Sequence, residues 1–204
     1  MPKAQPEKLN LFKEFKREYV QPKQPKLIEV GPATYLAVDG KGGPGGELFQ
    51  ERVGALYGMA YTLKFQSKDA GRDYVVSKLE ALYGVDQPFD DLSTIDSDEW
   101  SWRMLMRVPE FTAAEDLEAA RAALRAKEKE GDFDAVRLER IDEGRCVQCL
   151  HLGPYEKEAE TVALMDAFCE EHSLTPRLWH HEIYFSDPRR VPPERLKTLL
   201  RHPV

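Results

Sequence analysis

The alternation of apolar and polar residues predicts a mixed chain of short strands and amphipathic helices. In residues 47–65 the apolar side chains recur at the spacing of one helix face, so this helix is expected to face a core. The predicted helices cover residues 8–19, 47–65, 113–129, 156–172 and about 194–200. The predicted strands cover residues 26–39 with a break at Gly31-Pro32, 75–83, 100–108, two runs within 135–152, and 178–186.

The order of these elements repeats once along the chain. A strand, a glycine–proline pair and a helix occur in sequence at Gly43-Pro44 and again at Gly153-Pro154. Each helix is followed by a strand that contains a glutamate, Glu80 in the first copy and Glu182 in the second. We therefore predict an internal duplication in which the two glutamates are mates about a pseudo-two-fold axis.

The duplication defines the expected domain organisation. The fold class is α+β, with duplicated βαββ modules around a central ligand cleft, in a single domain spanning 1–204. The first repeat is expected at 26–110 and the second at 135–187. The helix at 8–19 precedes the repeats, and residues 188–204 are expected to form a C-terminal extension.

The stretch WHHEIYFSD at 179–187 concentrates the candidate chemistry. In a strand His180, Glu182 and Tyr184 share one face, while His181 lies on the other. The two histidines therefore cannot both bind one metal ion with Glu182, and we predict no metal site. Glu182 could pair with an arginine or face solvent; in a cleft it could bind a cationic ligand, hold a water molecule or act as a general base.

Aromatic residues are concentrated in and beside the repeated elements. Each could simply pack in the core, but aromatic rings around a carboxylate also form cages for flat or cationic molecules. These aromatic residues are Tyr57, Tyr61, Tyr83, Trp100, Trp102, Tyr155, Trp179 and Tyr184.

Composition narrows the function classes. The net charge of −7 and the pI near 5.4 argue against nucleic acid as a partner. No apolar run of about 18 residues or secretory signal is present, so we expect a cytoplasmic protein without membrane contact. Cys146 and Cys149 fall in a predicted strand, which places them on opposite faces and favours structural thiols over a redox or zinc pair.

Several long motifs resemble the GyrI-like small-molecule-binding proteins, and most closely their stand-alone subfamily. The motifs are FQERVGALYGMAYTLKF, DEWSWRMLMRVPEF, CLHLGPYEKE, HHEIYFSDPRR and the ending LKTLLRHPV, so the resemblance covers about residues 8–204. It implies tandem βαββ (SHS2-type) units around a cleft that binds flat, often cationic aromatic molecules. Glu182 matches the strand that carries the family's buried glutamate. Residues 1–26 are too short for a DNA-binding helix-turn-helix, so a regulator role would need a separate partner.

The resemblance also implies an activity, because the stand-alone subfamily includes hydrolases of cyclopropane-bearing DNA-alkylating natural products. In that reading Glu182 directs the attacking water and Tyr57 is a candidate proton donor. No cofactor is implied, and a monomer that binds small aromatic or cationic organic molecules is expected. The expected ligand-binding residues are Trp102, Tyr155, Tyr184, Glu80, Tyr61, Trp100 and His180.

Two other functions stay open at the level of sequence. The domain could sequester or sense drugs without changing them. It could instead inhibit a large partner, as gyrase-inhibitor relatives do, with the acidic segment 86–99 as the visible contact. The wider SOUL/GyrI-like fold group also contains a haem-binding relative, but no haem-ligand histidine can be identified here.

Overall fold

A strongly curled antiparallel sheet of eight strands organises the structure, a computed structural model that describes residues 8–84, 96–177 and 179–204. The strands are β1 (Lys26–Val30), β2 (Ala33–Lys41), β3 (Glu80–Gly84), β4 (Ser101–Arg107), β5 (Arg137–Ile141), β6 (Gly144–Leu152), β7 (His180–Tyr184) and β8 (Lys197–Pro203). The helices are α1 (Leu11–Glu14), α2 (Glu47–Asp69), α3 (Ala114–Ala126) and α4 (Glu158–Glu171). In these described ranges, no helix combines the length and apolarity that crossing a membrane requires.

The strand order is β1-β6-β8-β7-β3-β4-β2-β5, so β7 and β3 are neighbours in the middle of the sheet. The three longer helices pack on one face, which we call the helix face. The main apolar cluster joins α2 and α3 to β2 and β4, and a smaller one joins α4 to β6 and β8. This layering follows from the predicted helix stripe, because Leu56, Ala60 and Leu63 of α2 are all buried.

The opposite face of the sheet, the network face, is covered in part by the N-terminal segment and carries buried charged groups. His181 contacts two carboxylates: its Nδ1 lies 2.8 Å from Glu143 Oε1, and its Nε2 lies 3.1 Å from Glu80 Oε2. Arg201 donates to the other Glu143 oxygen at 2.6 Å, and Tyr19 donates to Glu80 at 3.2 Å. These contacts neutralise charges that would otherwise be costly to bury.

Neighbouring charges in this network stabilise the ionised form of Glu143 and the protonated form of His181. Burial alone would raise the pKa of Glu143, but His181 and Arg201 outweigh it and lower the pKa to about 2. Burial alone would lower the pKa of His181, but Glu143 and the hydrogen bond to Glu80 raise it to about 9. Neutral pH therefore finds Glu143 ionised and His181 protonated.

Most predicted elements are confirmed. Helices α2, α3 and α4 lie where the hydrophobic pattern placed them, and β1 and β2 are separated at Gly31-Pro32. Cys146 and Cys149 are buried free thiols on strand β6, as expected. The strand predicted at 75–83 is shorter and begins at Glu80.

The N-terminal helix is also shorter than predicted. Residues 8–19 were expected to be one amphipathic helix, but α1 spans four residues and the chain then turns. The expected stripe survives as packing, because Phe12 and Tyr19 lie with ring centroids 4.1 Å apart and join Phe15 against Ile183 and Leu199. Tertiary contacts with the sheet thus replace helical hydrogen bonds.

The prediction for the C-terminus is wrong. A helix around 194–200 was expected, but residues 193–195 form one 3₁₀ turn and 197–203 form strand β8. This strand is no extension, since it pairs with both β6 and β7. Leu199 and Leu200 are both fully buried on opposite faces, and burial on both faces removes the alternation that identifies a strand.

The predicted pairing of Glu80 with Glu182 about a two-fold axis is wrong as well. Across β3 and β7, Glu182 lies opposite Ala81, whereas Glu80 lies opposite Ile183. Residues paired in this way point to the same side of the sheet, so the two glutamates face opposite sides. Glu80 belongs to the network face, and the internal duplication itself stays a prediction.

Candidate functional site

A cluster of two carboxylates and one imidazole lies on the helix face, where β7 meets the start of α4. One side-chain ligand atom each from Glu158, His180 and Glu182 lies within 4.8 Å of the other two. His180 Nε2 is 3.5 Å from Glu182 Oε1. Alternation along β7 places His180 and Glu182 on this face, as predicted, and the first turn of α4 brings Glu158 over them.

The carboxylates of the cluster are shielded from water. Glu182 is 7% exposed, and Glu158 Oε1 is buried without a hydrogen-bond partner among the described residues. Burial and then the charge of Glu182 raise the pKa of Glu158 to about 10. Glu158 is therefore protonated at neutral pH.

Tyrosines surround this cluster. The Tyr83 and Tyr184 hydroxyls lie 2.9 Å apart, and the rings of Tyr155 and Tyr184 meet edge to face at 6.2 Å. Burial and the charge of Glu182 raise the pKa of Tyr155 to about 12, and they also raise the pKa values of Tyr83 and Tyr184. These phenols stay protonated at neutral pH and can act as hydrogen-bond donors.

Helix α2 contributes a second pair of aromatic rings. Tyr57 and Tyr61 are 37% and 49% exposed, and their rings lie nearly parallel with centroids 6.3 Å apart. The carboxylate of Asp187 raises the pKa of both Tyr57 and Tyr155, in each case after the larger effect of burial. Both side chains are therefore near Asp187, in the loop that follows β7.

The two predicted tryptophans have different surroundings. Trp102 is 1% exposed, and its indole N–H donates to the Gly42 carbonyl at 3.0 Å. Its ring packs against Phe49 in the main core, so Trp102 is not accessible to a ligand in this conformation. Trp100 is partly buried, and its ring centroid lies 5.8 Å from that of Tyr83.

The structure therefore brings together Glu182, His180, Tyr155 and Tyr184 and leaves Glu80 on the network face. A cavity of about 290 Å³ opens on the network face as well, lined in part by Leu82, Arg103 and Trp179, and it does not include the cluster. The arrangement on the helix face can bind a cation, hold a water molecule or move a proton.

Sequence reasoning missed two members of this environment. Glu158 lies in CLHLGPYEKE, but the motif contains two glutamates, and a short turn before the helix prevents a choice between Glu156 and Glu158 from periodicity alone. His202 was missed because its segment was expected to be helical. Strand β8 instead places His202 Nε2 2.7 Å from His180 Nδ1.

The fold and the site define a class of small-molecule-binding domain, and comparison with known proteins agrees. The model of the family described as "GyrI-like small molecule binding domain" matches residues 118–204, which include Glu158, His180 and Glu182. No curated protein matches the chain significantly.

Solved structures extend the likeness to nearly the whole chain. An uncharacterised conserved protein from Listeria innocua is 40% identical, with a TM-score of 0.89 over 96% of this chain and 99% of its own. A protein from Listeria innocua described as a hydrolase is also 40% identical, with a TM-score of 0.87 over 97% and 99% of the two chains. The chain belongs to the GyrI-like family.

A more distant structure shares the fold alone. The C-terminal domain of EcmrR is 11% identical, with a TM-score of 0.59 over 88% of this chain and 96% of its own.

Proposed function

We propose that the protein binds flat aromatic molecules at the Glu182 cluster and hydrolyses cyclopropane-bearing DNA-alkylating compounds. The observation that carries this proposal is a carboxylate, Glu182, that is 7% exposed and surrounded by tyrosines. Aromatic rings around a carboxylate bind electron-poor or cationic rings, and the carboxylate can also direct a water molecule. The 40% identity to a protein described as a hydrolase supports an enzymatic role.

The reaction adds one water molecule to a strained ring. The substrate's cyclopropane is conjugated to a dienone, so attack of water on a ring carbon breaks a carbon–carbon bond. The electron pair of that bond moves into the dienone and leaves a phenolate. Glu182 accepts a proton from the attacking water, and a tyrosine hydroxyl stabilises and then protonates the phenolate oxygen. The proton on Glu182 then returns through solvent to the tyrosinate, which restores both side chains. The phenol product lacks the cyclopropane and cannot alkylate DNA.

The proton donor is best sought among the partly exposed tyrosines. The Tyr83 and Tyr184 hydroxyls already share a hydrogen bond, whereas Tyr57 and Tyr155 present rings that are 37% and 38% exposed. Tyr57 is our first choice and Tyr155 the second, since both side chains are partly exposed. Tyr61, stacked beside Tyr57, would form an outer wall of the aromatic cage.

A binding function without turnover is the second candidate. The burial of the cluster favours it, because a tightly enclosed ligand could be held without access for water. The gyrase-inhibitor-like alternative rests on the acidic segment 86–99, most of which lies outside the described residues.

Mass spectrometry of a duocarmycin-type cyclopropane tests the proposal. Wild type should add one water molecule per substrate, and Glu182→Gln should lose about 10²- to 10⁴-fold in rate while it still binds the compound. The matched control is Glu160→Gln, an exposed carboxylate on α4, which should keep the wild-type rate. Saturable binding with no water addition by wild type would leave only the binding function.

A further inference from the structure

The cluster on the helix face has the geometry of a metal-binding site that a single strand could not supply. We propose that Glu158, His180 and Glu182 bind one divalent transition-metal ion, of which Zn²⁺ is the first candidate. The ligands come from two elements, since α4 provides Glu158 and β7 provides the other two. The prediction of no metal site rested on alternation along β7, which places His181 on the other face, and it did not consider Glu158.

The distances suit one ion. Zn²⁺ lies about 2.0–2.2 Å from nitrogen and oxygen ligands, so the ligand atoms of a tetrahedral site are about 3.4 Å apart. His180 Nε2 and Glu182 Oε1 already have that spacing, at 3.5 Å. One ligand atom from each of the three residues lies within 4.8 Å of the other two, so side-chain movements of about an ångström would bring all three to that spacing.

The cluster contains a buried oxygen that is available to a cation. The Glu182 side chain is 9% exposed, and its ion-pair contact in the structure is His180 inside the cluster. Glu158 Oε1 is buried and has no hydrogen-bond partner among the described residues. Within the described part of the chain neither carboxyl group has a lysine or arginine partner, and a bound metal ion would satisfy both at once.

His202 is placed as an outer partner of the site. Its Nε2 lies 2.7 Å from His180 Nδ1, on the side of the imidazole that faces away from the carboxylates. When His180 Nδ1–H donates to His202, the lone pair of His180 Nε2 faces Glu158 and Glu182. Metal-binding histidines usually have such a partner for their second nitrogen, because it fixes the tautomer and the ring orientation.

The donor set selects the class of metal. One imidazole with two carboxylates suits Zn²⁺ or Mn²⁺, whereas Ca²⁺ and Mg²⁺ prefer oxygen ligands alone and Cu(I) prefers thiolates. Three protein ligands leave at least one coordination position for water or for a donor atom of a ligand. The inference goes beyond the proposed hydrolysis, in which Glu182 acts without a metal, and it can be tested without any substrate.

The test is calorimetric titration of the full chain with ZnCl₂ after treatment with a chelator, followed by the visible absorption spectrum of the Co²⁺ form. We expect one ion per chain and the strong d–d bands of a low coordination number. Glu158→Gln and His180→Asn should each weaken binding by more than about 100-fold, because loss of an outer partner alone weakens binding about 10- to 100-fold. The exposed residues Glu160 and His172 give matched controls, and Glu160→Gln and His172→Asn should bind like wild type.

Three outcomes would overturn the metal site: no binding, binding that survives in both cluster variants, or an equal loss in the controls. Circular dichroism of each variant checks that it is folded, and Glu158→Gln keeps the side-chain volume. Water addition to a cyclopropane by wild type, together with no Zn²⁺ binding in the titration, would overturn the metal site and leave the proposed hydrolase standing. Zn²⁺ binding without water addition would support the metal site and contradict the proposed hydrolase.

Discussion

At the residue scale, Glu80 and Glu182 lie on adjacent strands but differ in the number of partners that surround their carboxylates. Glu80 is fully buried, but Tyr19 and His181 both hydrogen-bond to it, so its charge is stabilised by the protein. In the described ranges, the ion-pair contact of Glu182 is the 3.5 Å one with His180, and Glu182 lies among tyrosines. A carboxylate whose partners are supplied from within stabilises the fold, whereas one with few partners is available to a ligand.

The packing of Trp102 in the main core requires a glycine at position 40. A methyl group at Gly40 would lie 2.0 Å from the Trp102 indole, so Gly40→Ala should lower the free energy of unfolding by about 1–3 kcal/mol. Gly54 is the control, because it is exposed on α2 with open space around its Cβ position. Gly54→Ala should instead raise stability by about 0.5–1 kcal/mol. Urea denaturation measures both; equal midpoints for the two variants would contradict the contact with Trp102.

At the scale of elements, the charged network joins three parts of the sheet. Glu143 lies in the turn between β5 and β6, His181 belongs to β7, and Arg201 belongs to β8. Their hydrogen bonds therefore tie the turn between β5 and β6 to strands β7 and β8 on the network face. This arrangement fixes the register of β7, and with it the side from which His180 and Glu182 point.

Removing one charged partner from that network should strongly lower the stability of the fold. Glu143→Gln should lower stability by about 3–5 kcal/mol at neutral pH, because it leaves Arg201 and His181 without their shared carboxylate. The control is Glu110→Gln, which removes an exposed ion pair with Arg140 and should cost about 0–1 kcal/mol. Equal denaturation midpoints for the two variants would show that the network contributes little.

The same network predicts how stability depends on acid. The pKa of Glu143 is about 2 in the folded protein, below its ordinary value of 4.5. Its contribution is therefore fully present above pH 4.5 and is lost as the pH falls through about 2. The stability difference between wild type and Glu143→Gln should shrink over that window. A difference that stayed constant down to pH 2 would contradict the assignment.

The sequence predicts elements well where one face is buried and poorly where both are. Alternation along β7 correctly placed His180 and Glu182 on one face and His181 on the other. Strand β8 has no alternation, because Leu199 and Leu200 are buried on opposite sides, and it was mistaken for a helix. That error also concealed His202. Contacts made only by tertiary folding, such as Glu158 over β7, leave no periodic signal in the sequence.

At the scale of the whole molecule, the net charge of −7 adds to the negative charge of the cluster. A flat cationic dye should therefore bind faster at low salt, and its affinity should fall as salt is raised through about 0.15 M. A neutral dye of the same shape should show little change. Fluorescence titration measures both, and parallel salt dependence of the two dyes would argue against a carboxylate at the binding site.

The most direct test of the proposed function is a reaction of wild-type protein with a duocarmycin-type cyclopropane in ¹⁸O-labelled water, read by mass spectrometry. The account predicts a ring-opened phenol that carries one labelled oxygen atom, because Glu182 directs solvent water to the strained ring. Compound recovered unchanged, or found attached covalently to the protein, would contradict the hydrolase.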